Sequence, residues 1–155
     1  MKSTSTSNTV RAAPPLPLYA KAATAITREG VFVGSVPVAK LPRLAAALND
    51  AEGLLSAQLH VARNRRGRPH LFGVLRGELG LICQRCLQPF RWPLEVAVDL
   101  RLVESEAEET EALKEGECWL IEDDRLPLQE IVEDEALLAL PLAPRCLRPD
   151  CKIAD

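Results

Sequence analysis

Two pairs of cysteines, far apart along the chain, constrain this sequence more than any other feature. Cys83-Gln84-Arg85-Cys86 lies just past the middle, and Cys146 and Cys151 lie near the last residues. A tetrahedral zinc site takes four thiolates, usually as two closely spaced pairs about 2.3 Å from the ion. If both pairs serve one ion, the C-terminal residues must fold back onto the middle of the chain. Cys83-x-x-Cys86 is a good half-site, whereas Cys146-x-x-x-x-Cys151 is wide and stiffened by Pro149. Filling the site would add on the order of 10 kcal/mol of apparent binding energy to folding. The alternative reading is a set of unpaired thiols, two near a strand end and two in a loose tail. Cys118 stands outside both pairs and reads as a small buried hydrophobe. Thiol–disulfide catalysis would need the first pair at a helix N-terminus, and Leu87-Gln88-Pro89-Phe90-Arg91-Trp92-Pro93 does not start a helix.

The 155 residues suit one domain, and with 47% apolar but only 4% aromatic residues its core must be aliphatic. No apolar run approaches the roughly 18–20 residues of a membrane helix, so the expectation is a soluble protein with no membrane partner. The first 28 residues hold Lys2, Arg11, Lys21 and Arg28 but no acid, and Pro14, Pro15 and Pro17 interrupt them. Residues 1–20 are therefore expected to be a disordered tail, with a transit peptide as the alternative. Residues 21–155 are expected to form a single domain.

Hydrophobic spacing assigns the elements. Leu41, Leu44, Ala45 and Leu48 fall on one face of a short helix. Leu55, Ala57, Leu59 and Val61 alternate with polar residues, as do Trp92, Leu94, Val96, Val98, Leu100 and Leu102. Between these strands, His70 to Ile82 reads as a long returning strand, in which Gly73, Gly77 and Gly80 suggest bulges. A second helix is expected from Pro127 to about Leu140, with Glu130, Glu133 and Asp134 facing outward. The fold class predicted is α+β: an antiparallel meander sheet curled towards a small barrel, two packed helices, and a Cys-x-x-Cys knuckle.

Charge is sorted along the chain. His60 to Arg91 holds seven arginines against Glu78 alone, whereas Glu95 to Glu135 holds sixteen acids against Arg101, Lys114 and Arg125. Arg63, Arg65, Arg66 and Arg68 crowd one turn, where guanidinium groups can meet phosphate oxygens. The alternative is an ordinary solvated hairpin tip, neutralised by the protein's own acids. Residues 104–117 carry seven glutamates and are expected to be a mobile acidic loop. Aromatic stacking platforms near these arginines are missing apart from Phe72, Phe90 and Trp92, so single-strand readout by stacking is not expected. Only His60 and His70 can act as bases at neutral pH, and neither has a nucleophile beside it in sequence. No catalytic motif is present, and a non-enzymatic protein is expected.

Cys83 to Phe90, preceded by a long strand, is similar to the central motif of the YceD family. Glu130-Ile131-Val132-Glu133-Asp134-Glu135-Ala136-Leu137-Leu138-Ala139-Leu140-Pro141 is similar to that family's C-terminal helix. The resemblance covers roughly Gly30 to Cys151. It implies a bacterial cytoplasmic factor needed for accumulation of large-subunit (23S) ribosomal RNA, with plastid relatives in a similar role. Members with a fuller cysteine set end in Cys-x-x-Cys-Lys-Gly, whereas this chain has Cys146, Cys151 and Lys152 and then Ile153-Ala154-Asp155. The function expected is binding of precursor ribosomal RNA, or of a pre-ribosomal particle, through Arg63, Arg65, Arg66, Arg68 and Arg85. Zinc at Cys83, Cys86, Cys146 and Cys151 would fix the Arg85 loop. The alternatives are an adaptor whose acidic segment docks a basic ribosomal protein, and a small zinc-dependent redox sensor.

Overall fold

A computed structural model of the chain describes residues 13–154. The expected tail at residues 1–20 and its transit-peptide alternative fall mostly on residues 1–12, outside the described residues. Residues 13–20 are part of the fold. Leu16 is buried, its amide donates to Ser35 O at 2.9 Å, and Ser35 N donates to Pro14 O at 2.9 Å. Gln129 Nε2 reaches Leu16 O from the far side at 2.8 Å.

The elements run β1 (Ala20–Lys21), α1 (Ala22–Thr27), β2 (Val31–Pro37), a 3-10 turn (Val38–Lys40), α2 (Pro42–Ala47) and β3 (Leu54–Arg63). They continue with β4 (Pro69–Ile82), β5 (Pro89–Val103), α3 (Glu106–Leu113), β6 (Cys118–Leu120), β7 (Arg125–Leu126) and α4 (Leu128–Ala139). β2 to β5 pair antiparallel in sequence order, and β1 pairs with β7 in a separate two-stranded ladder.

Four features correct the expected fold. β6 pairs parallel to β5, with Arg101 opposite Cys118 and Val103 opposite Leu120, so the five-stranded sheet is mixed and not a pure meander. The order β2-β3-β4-β5-β6 leaves β2 and β6 at open edges, so the sheet does not close into a barrel. Four α-helices are present among the described residues, not two. The Cys-x-x-Cys turn is not a separate knuckle but half of a cluster of four cysteines distant in sequence.

The parallel strand has a physical cause in residues 104–117. A parallel return needs a crossover of about a dozen residues, normally helical, and this stretch supplies it as α3 rather than as the expected loop. Ser105 caps α3 by accepting from Glu108 N at 3.2 Å, and Glu106, Glu108 and Glu109 sit in the first turn, where the helix dipole favours acids. Ala112 is its buried contact with the rest of the molecule.

One aliphatic core fills the inner face. Leu55, Ala57, Leu59 and Val61 of β3 meet Leu71, Leu75 and Leu79 of β4 and Leu94, Val98, Leu100 and Leu102 of β5. Leu44 of α2 and Leu128, Ile131, Val132 and Ala136 of α4 cover them. The β4–β5 register is unbroken from His70 opposite Arg101 to Ile82 opposite Pro89, so the β4 glycines do not mark bulges. Gly73, at φ 158°, instead makes room for a neighbour, because a Cβ there would run into the Gln58 carbonyl. Glu133, expected to face outward, is buried between α4 and α2.

Candidate metal centre and basic surfaces

The turn after β4 is built to present sulfur. Cys83 N donates to Gln88 O and Leu87 N donates to Cys83 O, each at 2.9 Å, and Leu87 takes the left-handed conformation (φ 59°) that closes the loop. The amides of Arg85 and Cys86 then point at Cys83 Sγ, at 3.4 and 3.5 Å. Past α4, the segment holding Cys146 and Cys151 is laced to this turn by backbone hydrogen bonds. Gln84 N donates to Pro144 O at 2.8 Å and Ala154 N to Arg85 O at 2.9 Å.

Cys83, Cys86, Cys146 and Cys151 thereby bring their sulfurs within 4.8 Å of one another. Cys83 Sγ lies 3.7 Å from Cys151 Sγ, and Cys86 Sγ lies 3.8 Å from Cys146 Sγ. A tetrahedron with metal–sulfur bonds of about 2.3 Å has sulfur–sulfur edges of about 3.8 Å. The donor set therefore fits zinc in size and in chemistry. Four protein sulfurs fill a tetrahedral shell, so zinc here would cross-link the chain and have no open position for a substrate.

The thiols cannot all ionise unaided. Cys83 is drawn down to about 5, first by the Cys86 amide, against the effect of burial. Cys151 is pushed up to about 12, first by burial and then by the other three thiols. Cys146 is lowered mainly by its hydrogen bond with the Arg148 side chain. A divalent cation would relieve this conflict. Arg148 adds positive charge at the rim, with Nη2 3.8 Å from Cys86 Sγ and 3.2 Å from Pro89 O. Sequence reasoning missed Arg148, although its place two residues after Cys146 was a signal. Cys118 lies half-buried on β6, outside the cluster.

The arginines nominated from sequence are divided between the two ends of β4. Asn64 organises the β3–β4 turn by accepting from Arg66 N and Arg68 N at 2.9 and 3.0 Å, and Gly67 takes φ 76°. Arg63 Nη1 folds back onto Gly67 O at 2.7 Å. Arg68 pairs with Glu115 at 3.3 Å, and Arg101 approaches the same carboxylate at 3.8 Å. Arg65 and Arg66 are exposed, and neither forms an ion pair among the described residues. Arg85 is exposed on the cysteine turn, a full strand away, which is about 40 Å for a strand of this length. The structure does not bring the five together.

Both histidines are engaged on the solvent face of the sheet. His60 stacks on Phe72 with ring centroids 5.4 Å apart. His70 contacts Asp99 at 3.2 Å through one ring nitrogen and Asn64 at 3.2 Å through the other.

The family model for the large ribosomal RNA subunit accumulation protein YceD matches residues 71–154, just over half of the chain. The chain belongs to the YceD family. The matched span takes in β4, β5, α4 and all four cysteines of the cluster. The family's description refers to accumulation of the large ribosomal RNA subunit. Uncharacterized proteins of Mycobacterium tuberculosis and of Mycobacterium bovis are 33% identical to this chain over 69 residues, which is 44% of this chain and 33% of theirs. The match thus spans about a third of the length of these relatives. No solved structure matches the chain. Among the described residues no helix is long and apolar enough to cross a membrane.

Proposed function

We propose that this protein is a cytoplasmic, non-enzymatic factor that contacts large-subunit ribosomal RNA, or the assembling particle around it, and that zinc serves it as a structural clasp. The observation that carries this reading is the closed four-sulfur cluster, which lies within the segment shared with the YceD family. The clasp holds Arg85 at one end of β4, while the β3–β4 turn presents Arg65 and Arg66 at the other. Contacts from these groups to phosphate would be strongly salt-dependent and weakly selective for sequence. The test has two arms: the ratio of large- to small-subunit ribosomal RNA in depleted cells, and retention of precursor RNA by purified protein. A normal ratio together with no RNA retention at low salt would overturn the reading.

A second reading is favoured by α3. Glu106 and Glu108 are exposed near its N-terminus and form no ion pair among the described residues. An adaptor that docks a basic ribosomal protein on this face would keep its partner after nuclease treatment, whereas an RNA-bound protein would lose it.

A further inference from the structure

The end of the sheet that carries the cysteines also forms a groove that joins residues from two separate stretches. Phe90 and Trp92 continue the inward row of β5 beyond buried Leu94 and are half-exposed. The segment Arg145–Pro149 runs beside them, held by Cys146 and by the Arg148 hydrogen bond to Pro89 O. Between the two lies a groove of about 570 Å³ lined by Phe90, Arg91, Trp92, Arg145, Leu147 and Arg148.

Basic groups gather at this end as they do at the hairpin end. Residues 83–91 and 144–152 hold Arg85, Arg91, Arg145, Arg148 and Lys152 against a single acid, Asp150. Arg91 is paired with Asp50 at 3.2 Å, but Arg85, Arg145 and Lys152 form no ion pair among the described residues. At the hairpin end, Glu115 takes up Arg68 and Arg101. The aromatic group nearest that turn, Phe72, is already stacked on His60, with Asp99 in the same depression. The cysteine end sets two aromatic side chains, Phe90 and Trp92, in one groove beside Arg145, which forms no ion pair among the described residues.

We propose that this groove takes a short stretch of single-stranded RNA, with bases against Phe90 and Trp92 and phosphates on Arg145 and Arg148. The proposal rests on the RNA-contact reading and gives it a site of its own. Aromatic and guanidinium planes bind unstacked bases without strong sequence preference, and arginines track the backbone between them. The cysteine clasp holds the second wall of the groove, so metal occupancy and strand binding are coupled. Duplex RNA, whose bases are already stacked, gains little here.

The experiment uses the full zinc-loaded chain carrying Trp119→Phe, which leaves Trp92 as its one tryptophan. The probe is an unstructured oligoribonucleotide of about five nucleotides, too short to reach both ends of β4. Quenching of Trp92 fluorescence is expected, with about tenfold weaker binding for Arg145→Glu and for Phe90→Ala. Arg65→Glu with Arg66→Glu is expected to shift this binding by less than about twofold. Zinc content and circular dichroism of each variant show that its fold is kept. Binding that neither quenches Trp92 nor weakens in Arg145→Glu overturns the groove and leaves the RNA reading standing. No binding of this probe at low salt overturns the groove; if long precursor RNA is not retained either and the ribosomal RNA ratio of depleted cells is normal, the RNA-contact reading fails with it. Retention of nuclease-treated ribosomal protein that is lost in Arg145→Glu would assign the groove to a protein partner and overturn the RNA assignment.

Discussion

The carboxylate of Glu133 caps helix α2 from across the core, with Oε2 accepting from Leu44 N at 3.1 Å and from Arg43 N at 2.8 Å. α2 begins at Pro42 without a side-chain cap of its own. Its first free amides are satisfied by a residue from α4, and Arg43 returns the contact through Nε and Nη2 to Oε1. Glu133→Ala would leave the buried Leu44 amide and the part-buried Arg43 amide without this acceptor, and a loss of about 2–3 kcal/mol is expected. Glu133→Gln keeps an acceptor oxygen and should lose less. Urea unfolding of the two variants checks the order.

Two residues further along α4, Glu135 has the opposite character. It is buried, and its carboxyl is raised to about 7 by burial first and then by Glu117 and Asp134. The folded state therefore holds this proton at pH values where the unfolded chain, near its ordinary 4.5, has released it. Stability from this group falls as pH rises from about 4.5 to about 7 and is level above that. Glu135→Gln is expected to stabilise the protein at pH 7.5 by about 1–2 kcal/mol after allowance for solvent screening. Thermal melts at pH 7.5 and pH 4.5 check this: the gain should vanish at the lower pH.

Metal removal should loosen one end of the molecule and leave the rest folded. The aliphatic core contains no fully buried residue beyond Ala136 and none of residues 141–154. Chelation, or Cys151→Ser, is expected to expose residues 141–154 to protease and hydrogen exchange while β2 to β5 stay protected. Intact protein should contain one zinc per chain by elemental analysis. Protection of residues 141–154 that is unchanged after chelation would show that the clasp does not hold them.

Gly34 decides whether the segment before β1 can lie on the sheet. A Cβ at this position would sit 2.7 Å from both Leu16 N and Pro14 O. Gly34→Ala is expected to push residues 13–17 off β2 and expose Leu16, with a loss of about 2–3 kcal/mol. Limited proteolysis near Leu16, with no new cleavage in β3 or β4, is the expected result.

How far the sequence could be read depended on whether a residue's partner was local. The alternation in β3 and β5 was legible because each strand buries one face and a period of two leaves a plain trace. The cysteine pairs were legible because the close spacing of Cys83 and Cys86 suits half of a metal site. α3 was not, because its glutamates outweighed the Ser105-x-x-Glu108 cap that starts it, and without α3 the parallel course of β6 has no crossover. Ala22, Ala25 and Ile26 carry helical spacing that would have placed α1. Glu133 reads as a solvent-facing residue in the sequence because its partners, Arg43 and Leu44, belong to a distant helix. The groove likewise depends on Phe90 and Arg145 meeting across residues distant in sequence, through the four cysteines and the backbone hydrogen bonds from Gln84 and Ala154.

The clasp also has a meaning in polymer terms. Cys83 and Cys151 are 68 residues apart, and closing a flexible ring of that length from the unfolded chain costs about 3–4 kcal/mol of entropy. Strands β5 and β6 and helices α3 and α4 bear that cost before any ion arrives. By mass action, affinity for zinc is then a gauge of how well this unit is folded. A substitution deep under α4 would weaken metal binding with every sulfur intact, and a bound ion would in turn hold together a unit that such a substitution had loosened.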